Sequence, residues 1–389
     1  MELYILDAEL RRDQVVDRFE SLIWTERFDK WGDFELKIHS TPENRNRFPV
    51  GTRLLVNESY EVMTVESIED GTDADGRVVL TIKGRTLEKI LDDRLARGTM
   101  DDLTTAPKWS ITDVPADIAR KIFHDICVLG VLDPADVIPG IVEGSIFPPD
   151  TIDEPADPIT FEMDPMTVYS AQSQLCEAYD MGFRMVRNPT TLAIHFDVYM
   201  GSDRTTKQTD LPAVVFSENL GNLSNTNEFT SIVNYKNVAY VLSPVGTEIV
   251  YAADVDPSTT GFERNVLVVK ADDIKDEDPL DASAKMIQRA REELAKHRVF
   301  SGFDGEISKT SRFKYGVNYF LGDIVELRND RGFATDMQVV EQILISDKEG
   351  DRQYPTLAVR KFITPGSWLG YGGNKEWDDM TTEEWDDLP

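Results

Sequence analysis

Residues 34–39, Phe-Glu-Leu-Lys-Ile-His, alternate apolar and polar without a break. That pattern commits them to a strand with one buried and one wetted face. Comparable runs lie on either side. Leu3–Leu6, Thr52–Val56 and Glu61–Ile68 read as strands, and Arg77–Lys83 sets Val78, Leu80 and Ile82 against Val79, Thr81 and Lys83. Between the last two strands, residues 69–76 are rich in Asp and Gly and are expected to turn. Leu87, Ile90, Leu91 and Leu95 then form the apolar face of a short helix. Strands so closely spaced predict a small barrel or sandwich over residues 1–100.

Residues 101–230 read as a mixed α+β segment. Asp113 is placed to cap a helix whose early Pro115 is tolerated, with Ile118, Ile122, Phe123, Ile126 and Leu129 on one side. Residues 133–165 hold seven of the chain's 19 prolines and are expected to be loop. Asp164-Pro165 should open a second helix, with Val168, Ala171, Leu175, Ala178 and Tyr179 inside and Gly182 as its stop. Phe183–Val186 and Leu192–Val198 read as a hairpin across Asn188-Pro189-Thr190. Over residues 231–365 the β pattern returns, at Ile232–Leu242, Glu248–Ala252 and Arg264–Lys270. It resumes at Asp304–Ser308, Asp323–Leu327, Met337–Ile345 and Thr356–Lys361. A helix over 281–298 interrupts it, carrying Ala284, Ile287, Ala290, Arg291 and Leu294 at helical spacing. Residues 366–389 are expected to be a flexible acidic tail, with Trp368, Trp377 and Trp385 spaced through it and the last two as candidate docking residues.

The two β regions share a pattern. Phe48-Pro-Val-Gly51 leads to Leu54 and Val56, as Tyr319-Phe-Leu-Gly322 leads to Val325 and Leu327. Val65-Glu66-Ser-Ile68 further matches Val340-Glu341-Gln-Ile343. An internal duplication is the expectation. Three such chains would carry six related β units, enough for a ring that fits a threefold object to a sixfold tube.

Chemistry is sparse. Asp and Glu number 71 against 41 Lys and Arg, a net charge of −30. This argues against a protein held by duplex phosphates or by an anionic membrane. Cys127 and Cys176 are too few for a disulfide framework, so a reducing compartment is expected. The start, MELYILDAELRRD, lacks the order of a signal peptide, and no apolar run is long enough for a membrane helix. His39, His124, His195 and His297 are too scattered for a zinc motif. Asp73-Ala-Asp75-Gly76 resembles part of a calcium loop, but Ile82 stands where its last carboxylate belongs. No phosphate loop, nucleophile elbow or dinucleotide fingerprint is present. No catalytic, cofactor-binding or metal residue is assigned, and no cofactor is expected.

Four segments together carry a family resemblance: Phe19-Glu-Ser-Leu-Ile-Trp24; Trp31-Gly32-Asp33-Phe34-Glu-Leu36; Thr41-Pro42-Glu43-Asn44; and Gly84-Arg-Thr-Leu-Glu-Lys-Ile-Leu91. With Gly302-Phe303 and Tyr315-Gly-Val-Asn-Tyr-Phe-Leu-Gly322-Asp323, they resemble the tail-hub or minor tail proteins of long-tailed, non-contractile bacteriophages. The resemblance implies a mainly β, baseplate-hub-like α+β fold: two related β-barrel domains flanking an α+β insertion. It implies a homotrimer at the tail tip, extending the tail tube with pseudo-sixfold symmetry and forming part of the DNA conduit. Its partners would be the tail-tube or distal-tail protein, the tape-measure protein and fibre or receptor-binding proteins, in the virion after assembly in host cytoplasm. DNA would pass without specific binding. Trp24, Trp31 and Phe34 suit core or interface packing, and Gly32 and Gly51 suit turns before strands. Asp33, Gly84 and Gly322 complete the family motifs. The alternatives are a tail-associated cell-wall or polysaccharide hydrolase and a direct receptor binder.

Overall fold

The structure, a computed structural model, describes residues 1–72, 76–98, 108–252, 255–272, 274–275, 279–298, 300–308, 311–328 and 334–359. The chain begins with β1 (Leu3–Leu6), β2 (Arg12–Val16), β3 (Ser21–Arg27), β4 (Asp33–His39), α1 (Pro42–Arg47), β5 (Arg53–Val56), β6 (Met63–Thr72) and β7 (Val78–Thr86). In β4 the predicted alternation holds: Phe34, Leu36 and Ile38 are buried, while Glu35 and Lys37 are half-exposed. They join Leu3, Leu22, Trp24, Leu54, Val56, Val65, Leu80 and Ile82 in one core. Thr41 starts α1, its hydroxyl accepting the Asn44 amide at 3.1 Å, with Pro42 in the first turn. Two details differ from expectation. The strand before the turn runs on through Thr72, paired with Val78, because β7 offers its amide ladder that far; residues 73–75 lie outside the described residues. Val78 is exposed rather than sharing the buried face of Leu80 and Ile82.

A 3-10 turn at Leu87–Asp93 leads into β8 (Leu95–Ala96), β9 (Trp109–Asp113), α2 (Pro115–Phe123), β10 (Ile141–Glu143), β11 (Ile159–Met163), β12 (Met166–Thr167), α3 (Val168–Tyr179), β13 (Gly182–Arg187) and β14 (Ile194–Tyr199). Both helices bury one face: Ile118, Ile122 and Phe123 pack with Val168, Ala171 and Leu175 over Phe183, Phe196 and Val198. Phe123 and Phe196 stack with centroids 3.6 Å apart.

Three expectations fail here. Asp113 is not a cap; it ends β9, paired with Ile159, and Val114 precedes the helix. The proline-rich stretch is not simply loop, since β10 pairs with β14 and β11 with β9. Its prolines fall outside those strands, where no ladder amide is lost. The second helix starts three residues late, because Met166–Thr167 pair with Leu95–Ala96 and Thr167 is the cap. It stops at Asp180, which adopts the left-handed conformation at φ 54°, so Gly182 is free to enter β13.

β15 (Val215–Ser217) and β16 (Leu223–Ser231) follow, then β17 (Val238–Ser243), β18 (Gly246–Tyr251), β19 (Val266–Lys270) and α4 (Pro279–Ala295). The expected strand over 232–242 is broken at residues 232–237, between β16 and β17. The chain closes with β20 (Phe300–Ile307), β21 (Ile324–Arg328), β22 (Ala334–Asp347) and β23 (Gly350–Val359). Two compact units result: residues 1–228 with 302–358, and residues 229–301. Residues 101–228 thus belong to the same unit as 1–100. In the smaller unit α4 packs Ala282, Met286, Ala290 and Leu294 on one face of the sheet β18-β17-β19.

The duplicated pattern has a structural counterpart. In the large sheet, strands run β3-β4-β7-β6-β5 in the first β region and β16-β20-β23-β22-β21 in the second. The order is the same when each set is numbered along the chain. Gly51 donates to Val65 O at 2.8 Å and Thr52 O accepts from Val65 N at 2.8 Å. Gly322 donates to Val339 O at 2.8 Å and Asp323 O accepts from Val339 N at 2.9 Å. Both ladders then slip by one residue, at Glu66 and at Val340. The equivalence is therefore Val65 with Val339, one place from the match read in the sequence. The smaller unit lies along the chain between β16 and β20, the counterpart of the short β3–β4 connection.

Gly51 and Gly322 both hold positive φ, 92° and 87°. A Cβ on Gly51 meets nothing within 4 Å, whereas one on Gly322 would fall 2.5 Å from the Phe28 ring. Gly51→Ala is expected to cost about 1–2 kcal/mol, the left-handed penalty alone. Gly322→Ala should cost clearly more, by overpacking; urea unfolding of the two variants makes the comparison.

Candidate functional site

The first unit converges on the connection between β3 and β4. There Phe28, fully buried, donates its amide to Val340 O at 3.0 Å, and its carbonyl accepts from Phe183 N at 3.2 Å. Its ring meets Tyr199 edge-on at 5.1 Å. The ring comes so close to Gly182 and Gly322 that a Cβ on either would lie within 2.5 Å of it. Gly322 in turn touches Gly201. One side chain thus ties the first repeat to the second and to β13, and two positions must lack a side chain to admit it.

The family-motif residues surround this point. Trp24 stacks on Phe34 at 6.0 Å, and Trp24, Phe34, Gly84 and Val65 lie opposite one another across β3, β4, β7 and β6. Gly84 needs its missing Cβ, which would fall 1.8 Å from Thr64 O and 2.8 Å from the Phe34 ring. Gly32 is required for space rather than for a left-handed turn, since its Cβ would lie 2.3 Å from Thr25 O. Asp33 binds Arg27 at 2.5 Å, and Arg27 reaches Glu341 of β22 at 2.7 Å and the Trp31 carbonyl at 3.1 Å. Trp31 stacks on Tyr169 of α3 at 3.8 Å, with the Arg85 guanidinium 4.4 Å from its ring. Trp24, Trp31, Gly32, Asp33, Phe34 and Gly84 are therefore brought together, and Gly322 joins them through Phe28. Gly51 stands apart at the entry to β5, and Trp368, Trp377 and Trp385 lie outside the described residues.

Sequence reasoning missed the charges buried beside this junction. Glu26, Glu61 and Glu88 are all buried, on β3, just before β6 and on the 3-10 turn. Glu26 accepts from Trp24 Nε1 at 2.9 Å and from Tyr315 Oη at 2.6 Å. Glu88 accepts the amide of Met185. Glu61 makes an antiparallel bridge to Val186. Arg184 holds Asp197 at 2.8 Å and has the Phe147 and Tyr199 rings 4.1 and 3.7 Å from its guanidinium. Burial raises all three carboxyls: Glu88 is pushed up to about 7, and Glu61 lies well above its usual range, with Glu26 and Glu88 adding repulsion. The only hint in the sequence is an aromatic, Phe28, inside a hairpin connection; scattered Glu residues give none. Among the described residues no group of three His, Cys, Asp or Glu is arranged to hold a metal ion.

With this architecture in view, the comparisons are direct. The family described as Siphovirus ReqiPepy6 Gp37-like protein matches residues 2–356, and the chain belongs to it. Its fold is similar to that of a tail protein from Neisseria meningitidis MC58 (14% identity, 92% of this chain and 96% of that one, TM-score 0.57). It is also similar to the 43 kDa tail protein of prophage MuSo2 from Shewanella oneidensis (13% identity, 93% and 100%, TM-score 0.56). No curated protein sequence matches it. The expected kinship with phage tail proteins is met in the family and in the mainly β fold.

The raised carboxyls set a direction for pH. Below the unfolded value near 4.5 both states are protonated and burial carries no charge penalty. As pH rises toward about 7, the unfolded chain ionises first, so stability falls through that window and the full penalty remains above it. Glu88→Gln keeps an acceptor for Met185 and removes the charge. It should gain roughly 1–3 kcal/mol at pH 8 relative to pH 5, read from urea unfolding at both values; an unchanged pH dependence would show that burial does not raise the Glu88 carboxyl.

Proposed function

We propose that this protein is a structural component of a phage tail tip. It would be a trimeric hub in the virion that continues the tail tube with pseudo-sixfold symmetry and anchors distal fibre or receptor-binding proteins. The observation that carries this reading is an edge that the duplication leaves open. Within one chain, the first strand of the first repeat, β3, pairs with the second repeat along Glu341–Asp347 of β22. The counterpart of that stretch in the first repeat begins at Ser67 of β6. Residues 67–72 are exposed, and among the described residues only β7 pairs with them. The counterpart of β3 is β16, which ends the large sheet with β20 as its one neighbour among the described residues. Laying β16 of one copy on β6 of the next repeats the contact already made inside the chain. It is heterologous, head to tail, and closes if the rotation per repeat is one sixth of a turn.

In this hub the net charge of −30 favours passage of DNA over its retention, since phosphate is repelled. The tail-tube or distal-tail protein and the tape-measure protein are the neighbours such a ring would meet, following assembly in the host cytoplasm. No enzymatic activity is proposed.

Cysteine pairs test the strand contact. Ile68→Cys combined with Ser224→Cys or Thr226→Cys should give intermolecular disulfides, with a three-chain ladder on non-reducing gels. Negative-stain averages of the purified protein should show a threefold ring with an axial hole. Compact monomers at every concentration, with no cross-linking, would remove the ring.

A further inference from the structure

One sheet face of the smaller unit is bare over much of its area among the described residues, although Val238, at its Arg264 end, is buried. On β17, β18 and β19, Ala239, Val241, Val250, Leu267 and Val269 point to α4. By alternation and register the opposite face carries Val238, Tyr240 and Leu242, then Tyr251, Ile249 and Thr247, then Val266, Val268 and Lys270. Leu242, Ile249, Val266 and Val268 are 41%, 46%, 38% and 59% exposed. A single bare Leu is ordinary, but four large apolar side chains adjoining two tyrosines are not. Arg264 lies at one end, 5.9 and 5.5 Å from the Tyr240 and Tyr251 rings and bonded to Tyr240 Oη at 3.1 Å. Lys270 stands at the other end, opposite Leu242. The nine face positions include no carboxylate.

The chemistry that fits is an acidic segment with an aromatic centre. This chain contains two, with the same four residues eight apart: Glu376-Trp377-Asp378-Asp379 and Glu384-Trp385-Asp386-Asp387. We propose that the face formed by Tyr240, Leu242, Ile249, Tyr251, Val266 and Val268 is the docking site for this C-terminal segment, taking one Glu-Trp-Asp-Asp motif at a time. The indole would cover the apolar centre, and the carboxylates would meet Arg264 and Lys270. Three strands about 4.8 Å apart give a platform only ~10–14 Å across, the span of roughly four extended residues. One motif fills it. The second raises the local concentration of a ligand for the same place. Trp377 and Trp385 lie 18 and 26 residues beyond Val359, so an extended chain carries them about 60 and 90 Å from it. Such a contact is exchangeable, and another protein bearing an acidic aromatic segment would compete for it.

Acrylamide quenching of the full-length protein tests it, with the contribution of Trp377 and Trp385 isolated by difference from the double Trp377→Ala, Trp385→Ala variant. Val268→Asp should raise that contribution at least twofold, and Arg264→Glu, which leaves the apolar face intact, should raise it in a salt-dependent way. Either single Trp→Ala variant should retain docking. Circular dichroism establishes that the variants remain folded. Quenching unchanged by both face variants would overturn the proposal. So would concentration-dependent self-association abolished by Val268→Asp while the tail tryptophans quench as before, since a second copy would then be the occupant.

Discussion

The larger unit depends on one close approach: the ring of Phe28 lodged against Gly182 and Gly322. A hairpin connection normally faces water, because its amides and carbonyls need partners. Here the backbone of Phe28 finds them in Val340 and Phe183, so the connection can be buried and its side chain can serve two neighbours at once. Remove either glycine's vacancy and the hairpin must lift, taking with it Arg27, which joins Asp33 to Glu341. Aromatic burial of this kind contributes ~2–3 kcal/mol. Its greater effect is on geometry, since it sets where the second repeat stands relative to the first.

Three buried carboxyls beside this junction are an unusual accompaniment. Glu26 is well bonded to Trp24 and Tyr315, and Glu88 to a backbone amide, so each is fixed by hydrogen bonds despite the loss of water. Arg184 and Asp197 form a separate pair within the same layer. A core built this way is less stable than an apolar one of the same shape, the more so because Glu88 Oε2 and Arg184 Nε are buried without a hydrogen-bond partner.

Part of the β structure was legible because strands such as β4 keep one face wet, unlike β13, which is buried along its whole length. Phe34–His39 alternates for that reason, and its hydrophobic half is the core. The duplication was legible too, through Gly51 and Gly322, but its register was misread by one position. Two consecutive valines, Val339 and Val340, let Val-Glu-x-Ile align one place late, so Val65 matches Val340 in letters and Val339 in hydrogen bonds. The proline-rich segment was misjudged because β10 and β11 are short and take their order from β14 and β9 rather than from a pattern of their own. At the junction, Trp24, Trp31 and Phe34 were found as aromatics. Phe28 and the three glutamates were not, because their role exists only when distant segments meet.

The two repeats differ most in what joins their first and second strands: residues 28–32 in one, residues 232–299 in the other. Strand ends that already lie side by side tolerate a whole folded body between them, since the closure entropy grows only slowly with the length inserted. The consequence is one of marking. Wherever such repeats alternate around an axis, the sheet that binds them is nearly uniform, while every second connection bears a body and every other one is bare. In the proposed ring, a surface of that kind would read as six to whatever pairs with the strands and as three to whatever grips the connections. A mismatch of symmetry can thus be resolved inside one chain, by an insertion, without any change to the ladder of hydrogen bonds.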